Sequence, residues 1–81
     1  MDRINLKTIN EIYKCFGEVE IGSSNSGLTL RFGYWKKLSE ENVERVNYIL
    51  PNHLHIVENL VDEDEDCGEL FDYKILRKNN L

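Results

Sequence analysis

The chain opens with apolar residues at a helical spacing. Asn5 is a residue type that favours the N-cap position and Gly17 one that favours a C-terminal stop, so a helix is predicted between them. Apolar residues within an arc of about 120° predict that one face of this helix is buried. They are Leu6, Ile9, Ile12, Tyr13 and Phe16.

The hydrophobic period then changes from that of a helix to that of a strand. Apolar and polar residues alternate over 18–22 and again over 28–35, which predicts two half-buried strands. The connecting residues 23–27 are serine, asparagine and glycine, a composition typical of a turn. Asn25 and Gly27 are both suited to a positive φ. These two strands therefore form a predicted hairpin.

The second half of the chain repeats this order. Ser39 is the predicted N-cap of a second helix, and Pro51 prevents its continuation. Alternation over 53–61 and 70–76 predicts a second hairpin, which is closed by an acidic loop at 62–68. The apolar stripe of the second helix contains Val43, Val46, Ile49 and Leu50.

The predicted order of elements is α-β-β-α-β-β within a single domain of residues 1–81. The economical α+β arrangement for this order is two helices packed on one face of a four-stranded antiparallel sheet. The halves 4–35 and 38–77 have similar patterns. The similarity fits a true internal duplication, and it also fits two independent solutions to the same packing problem. Residues 78–81 are predicted to be a frayed tail. The strand order does not follow from the sequence.

If the helices cover one face of the sheet, alternation assigns the other strand residues to an open face. This face is too apolar for an idle solvent-exposed surface. Two interpretations stay open: an interface for a second copy or another protein with Trp35 as an anchor, or strand-end residues tucked under loops. The apolar members are Trp35, Val57, Val61, Leu70 and Leu76, and the polar ones are Glu18, Glu20, Arg31, His53, His55, Asp72 and Lys74.

Charge is distributed unevenly along the chain. The formal net charge is −5, but residues 1–38 carry +2 and residues 39–81 carry −7. Residues 58–72 contain eight acids and no base. Such a surface repels phosphate backbones and attracts cationic protein surfaces, which argues against nucleic-acid binding. The predicted partner-binding residues are Asp62, Glu63, Asp64, Glu65, Asp66 and Glu69, together with Trp35.

The motifs that could carry catalysis or bind a metal are incomplete. His53 and His55 stand two apart on a predicted strand, with Cys67 and Asp72 as imaginable further zinc ligands, but no metal or cofactor is predicted from this spacing. The acidic loop begins like a calcium-binding loop, yet lacks its glycine and its final glutamate. No serine or cysteine lies in a nucleophile motif, so no catalytic residue is predicted.

The expected location follows from the absence of targeting signals. The sequence contains no apolar segment typical of a signal peptide or of a membrane span. With no sign of export, Cys15 and Cys67 are expected to be reduced, and the chain is expected in the cytoplasm without membrane contact.

Together these observations predict a small acidic protein-binding module rather than an enzyme. Its charge suits an inhibitor or immunity-type protein that occupies a basic or nucleic-acid-binding surface of a partner protein. The alternative is a homodimeric structural or assembly subunit that uses the open sheet face. The sequence does not identify the partner.

Overall fold

The chain folds into two helices and a four-stranded antiparallel sheet in the predicted order α-β-β-α-β-β. A computed structural model describes residues 4–24 and 27–78. The elements are α1 (Leu6–Phe16), β1 (Val19–Ser24), β2 (Gly27–Phe32), α2 (Glu40–Ile49), β3 (Leu54–Asp64) and β4 (Gly68–Arg77). Asn25, predicted to suit a positive φ, and residues 79–81 of the predicted tail lie outside the described residues.

Both helices begin at their predicted N-caps. Asn5 Oδ1 accepts a hydrogen bond from the Thr8 N–H (2.8 Å), and Ser39 Oγ accepts one from the Asn42 N–H (3.2 Å). Each bond satisfies a backbone donor that has no partner within its helix. Gly17 ends α1 with φ 75°, a conformation that glycine adopts without a steric penalty. Local sequence therefore sets where each helix begins and where α1 ends.

The strand order of the sheet is β1-β2-β4-β3. Each half of the chain places its second strand at the centre of the sheet and its first strand at an edge. The two halves meet where β2 pairs with β4, with Leu30 opposite Tyr73 and Thr29 opposite Lys74. The order is thus symmetric about the centre of the sheet, and β1 and β3 are its two edges.

The two helices share one face of the sheet and enclose the core. On α1 the buried positions are Thr8 and Ile12, whereas Leu6 and Tyr13 of the predicted apolar arc are 71% and 56% exposed. α1 therefore faces the core at one edge of that arc, where Ile12 is buried and Phe16 packs against the core, and extends beyond it to Thr8. The buried core residues are Ile12, Leu30, Phe32, Leu38, Val46, Leu50, Leu54, Ile56, Tyr73 and Ile75.

β2 is shorter than the alternating pattern predicts. It ends at Phe32, and the chain turns because the Lys36 N–H donates to the Phe32 carbonyl (2.9 Å). Gly33 and Trp35 have φ of 57° and 51°, values that a strand does not adopt. The expectation that the strand runs to residue 35 is therefore wrong, although Trp35 stays close to the sheet.

The second hairpin is longer than predicted and its loop is shorter. β3 continues to Asp64 and β4 begins at Gly68, so most of the predicted acidic loop forms paired strand. The register shifts between Leu60 and Asp62, which marks Val61 as a β-bulge. At the other end of this hairpin the Lys78 N–H donates to the His53 carbonyl (2.9 Å).

Candidate functional site

The tip of the β3–β4 hairpin is the most strongly charged feature of the molecule. We call residues 62–69 the acidic arm, since six of these eight residues are Asp or Glu and every one is exposed. Asp62, Glu63 and Asp64 of β3 pair with Leu70, Glu69 and Gly68 of β4 in an antiparallel ladder. The carboxylates of Asp62, Glu63, Asp64 and Glu69 are therefore presented from paired strands, and those of Glu65 and Asp66 from the turn between them.

A tight turn closes the acidic arm. Asp64 Oδ1 accepts hydrogen bonds from the N–H groups of Asp66 (2.8 Å) and Cys67 (3.4 Å), as aspartate does in Asx turns. Gly68 follows with φ 80°, in the left-handed region that a side chain disfavours. The carboxylate of Asp64 thus orders the turn, and Asp62 Oδ1 accepts a hydrogen bond from the Glu63 N–H (2.8 Å), so two carboxylates of the acidic arm each have one oxygen engaged within it.

The negative charge of the acidic arm is uncompensated. Glu63 and Glu69 are directly opposite each other in the ladder, an arrangement in which like charges destabilise a sheet. Among residues 4–24 and 27–78, the ion pairs are Arg31 with Glu20, Lys37 with Glu58 and Arg45 with Glu41, and none of them involves the acidic arm. A cation brought by another molecule would relieve this repulsion.

Trp35 lies beside β4 near the base of the acidic arm. Its carbonyl accepts a hydrogen bond from the Phe71 N–H (2.9 Å), and its ring packs 4.3 Å from the Arg31 guanidinium carbon. Arg31 in turn forms an ion pair with Glu20, its cross-strand partner on the face opposite the helices, the open face. Tyr34, 64% exposed, meets the indole edge-to-face at 5.0 Å. These contacts hold an aromatic surface next to the arm.

The apolar side chains predicted on the open face fall into two groups. Val57 and Leu76 lie on adjacent rows of β3 and β4, and Val61 and Leu70 lie at the bulge near the arm. Between them runs a polar row in which the Asn59 amide donates to Asp72 (2.9 Å). Val57, Val61 and Leu76 are between 38% and 47% exposed. The open face therefore offers two small apolar areas rather than one continuous patch.

Tyr73 organises a buried polar contact that the sequence did not indicate. Its hydroxyl accepts from the Leu38 N–H (2.8 Å) and donates to Glu58 (3.4 Å), which also pairs with Lys37 (3.9 Å). Desolvation by burial raises the pKa of Tyr73, the Leu38 hydrogen bond opposes this, and the Glu58 carboxylate adds to the rise. The contact joins the segment after β2 to the second hairpin.

The histidines and cysteines are dispersed. His53 lies in the turn before β3 and not on the strand, so it does not share a strand face with His55. Cys15 and Cys67 are exposed and are not bonded to each other. Over the described ranges, no group of three His, Cys, Asp or Glu side chains could hold a metal ion. The paired zinc ligands considered from the sequence are therefore not brought together.

A surface depression lies between the end of α1 and the start of α2, and no residue of the acidic arm lines it. It is a groove of about 530 Å³ lined by the end of α1, the turn after β2 and the start of α2. Lys36, Lys37 and Glu18 give it mixed charge, and Ser39 at its wall already caps α2. Its side chains contain no paired nucleophile and base.

Comparisons with known proteins found no match: no family model, no curated protein and no solved structure is similar to this chain. Neither α1 nor α2, the helices of the described residues, is long and apolar enough to cross a membrane.

Proposed function

We propose that this protein is a small acidic module that binds another protein through the acidic arm. The partner presents a basic surface, such as a nucleic-acid-binding groove, and the module acts on it as an inhibitor or immunity-type protein. The observation that carries this proposal is the uncompensated charge of an ordered hairpin tip, with Glu63 opposite Glu69. Like charges in direct register lower the stability of a sheet, and a bound cation offsets that repulsion.

The geometry of the acidic arm favours recognition by charge. Carboxylates on paired strands are held at regular spacing, so less conformational entropy is lost on binding than from an unstructured loop. Acidic groups near one another attract a cationic surface and speed its encounter with the module. The apolar surface that is buried on binding must then come from residues next to the acidic arm.

Trp35 is the neighbouring residue best suited to supply that burial. It stands at the base of the acidic arm in a left-handed conformation that costs roughly 1–3 kcal/mol for a bulky residue. Tryptophan residues that are held rigidly beside a charged rim are frequent anchors of protein interfaces. We place Trp35 in the partner interface, with Val61 and Leu70 beside the arm as further apolar contacts.

The proposal is tested by neutralising the acidic arm. Replacing Asp62, Glu63, Asp64, Glu65 and Asp66 by their amides should weaken binding of a basic partner at least about tenfold and flatten its salt dependence. The partner is first isolated by pull-down from lysate, followed by low-salt and high-salt washes and mass spectrometry. Its affinity is then measured by calorimetry at two salt concentrations.

A control variant with the same change in charge isolates the role of the acidic arm. Five exposed acids elsewhere, Glu11, Glu18, Glu40, Glu41 and Glu44, are replaced by glutamine. This variant loses as many negative charges as the arm variant and should bind nearly as well as the native chain. Equal affinity of the arm variant and the native chain would contradict the proposal.

A second candidate function is a homodimeric assembly subunit that uses the open face. It is favoured by the exposure of Val57, Val61 and Leu76 on that face, with the half-buried Trp35 and Leu70 as further apolar residues. The polar row of Asn59 and Asp72 across the same face weakens it, since the apolar area is divided. Concentration-dependent sedimentation separates this candidate from the first.

A further inference from the structure

β3 is an unusually long edge strand. It spans eleven residues, Leu54–Asp64, whereas β1, the other edge, spans six. Strands in globular proteins are commonly five or six residues long, and edge strands are usually shorter or covered. The outer side of β3 therefore presents a row of backbone N–H and carbonyl groups with which another strand can pair.

α2 covers the first part of this edge. The Asn47 side chain of α2 accepts a hydrogen bond from the Ile56 N–H (2.8 Å), which shows that the backbone of Ile56 points away from β4. In an antiparallel ladder outward-pointing residues alternate, so the N–H and carbonyl groups of Glu58 and Leu60 also point outward. We call residues 57–61 the open part of the edge, since Val57, Glu58, Leu60 and the bulge residue Val61 are exposed.

Charge selects what can pair with the open part of the edge. Glu58 lies within it, and the acidic arm continues from its far end. A second copy of this chain would bring the same carboxylates into close approach and would be repelled. A strand that carries lysine or arginine would instead place cations beside the carboxylates of the acidic arm while its backbone pairs with β3, whereas Glu58 already pairs with Lys37.

We infer that the outer edge of β3, at residues 57–60, accepts an extended lysine- or arginine-bearing segment of the partner as an additional strand. This inference rests on the proposed function and deepens it, because it states the form in which the basic surface is presented. Backbone hydrogen bonds to Glu58 and Leu60 supply affinity, and the acidic arm supplies selectivity for cationic side chains.

The test uses a short synthetic peptide of alternating lysine and threonine, with an N-methylated version of the same sequence as the control. N-methylation removes the backbone donors but keeps the side chains and the charge. The unmodified peptide should bind the native chain, and methylation should weaken binding at least about tenfold. Amide hydrogen exchange followed by NMR should slow at Glu58 and Leu60, but not at Ile56, which Asn47 already occupies.

The outcomes separate this inference from the proposed function. Slower exchange at Glu58 and Leu60, together with weaker binding of the methylated peptide, supports strand addition. Equal binding of the two peptides overturns it, and so does a failure of the unmodified peptide to bind. The proposed function is judged independently by the variant with a neutralised acidic arm. If that variant binds the peptide as tightly as the native chain does, the acidic arm has no role in binding. This conclusion holds whatever the amide hydrogen exchange at Glu58 and Leu60 shows.

Discussion

Tyr73 connects segments that are far apart in the chain, because its buried hydroxyl bonds both the Leu38 N–H and Glu58. Replacing Tyr73 by phenylalanine keeps the ring in the core but leaves the Leu38 N–H buried without this acceptor. We expect the free energy of unfolding to fall by about 1–2 kcal/mol. Urea denaturation of Tyr73→Phe and of the native chain measures the difference, and unchanged stability would show that Leu38 finds another acceptor.

The same hydroxyl gives the molecule a pH dependence at alkaline pH. Burial, with the Glu58 carboxylate adding to it, raises the pKa of Tyr73 above the 10.0 of a free side chain. The folded chain therefore keeps this proton more tightly than the unfolded chain. The contribution to stability is complete below about pH 10 and is lost as the pH rises from there through the folded pKa. The stability of Tyr73→Phe should therefore fall less than that of the native chain as the pH rises above about 10. The free energy of unfolding of both chains, measured across alkaline pH, tests this.

Trp35 and Asn47 show what the sequence could not predict at the scale of residues. Gly33 is a local signal for a turn, but the alternation from Leu28 through Trp35 favoured a continued strand, and the positive φ of Trp35 has no signal in the sequence. Asn47 lies at the border of the apolar stripe of α2, and its bond to the Ile56 N–H depends on how α2 lies against β3. By contrast, the acids of the arm were identified from the sequence, since charge density requires no knowledge of the fold.

The two helices depend on their caps to different degrees. α1 has no acidic residue in its first turn, whereas α2 has Glu40 and Glu41 there, which interact favourably with the helix dipole. The Asn5 bond is also part-buried and shorter than the exposed Ser39 bond, at 2.8 Å against 3.2 Å. Removing the N-cap of α1 should therefore lower the stability of the protein more than removing the N-cap of α2.

We expect Asn5→Ala to lower the free energy of unfolding by about 1–2 kcal/mol, and Ser39→Ala by about 0.5–1 kcal/mol. Both are measured by urea denaturation against the native chain. Asn5→Asp is the control, since it keeps an accepting oxygen at the N-cap and should stay close to native stability. A larger loss for Ser39→Ala than for Asn5→Ala would contradict the assigned order of the two caps.

At the scale of elements, the sequence predicted what depends on local signals and missed what depends on pairing. Caps, stop residues and hydrophobic periods located both helices and all four strands. The end of β3 was misplaced because consecutive acids are typical of loops, yet an antiparallel partner and the Asp64 turn extend the ladder through them. Strand ends are set by the neighbouring strand as much as by the residues themselves.

The whole molecule combines a symmetric strand order with an asymmetric charge. Both halves contribute an edge strand and a central strand, but only the second hairpin extends into a charged arm. The symmetry was suggested by the repeated pattern of the halves, whereas the order β1-β2-β4-β3 requires contacts distant in sequence that no local pattern specifies. The two similar halves thus form the sheet together, and the acidic arm, which only the second half contains, forms the candidate site.

This asymmetry of charge predicts how the isolated protein behaves in solution. Two copies that approach through the edge of β3 or through the open face near the arm bring uncompensated carboxylates together, and the divided apolar face offers little burial in return. We expect a monomer at high micromolar concentration and low salt, measured by sedimentation equilibrium. Added salt screens exposed charges over about 8 Å at physiological ionic strength, so any weak association should increase with salt. A stable dimer at low salt that Trp35→Ala dissociates would favour the assembly-subunit function instead.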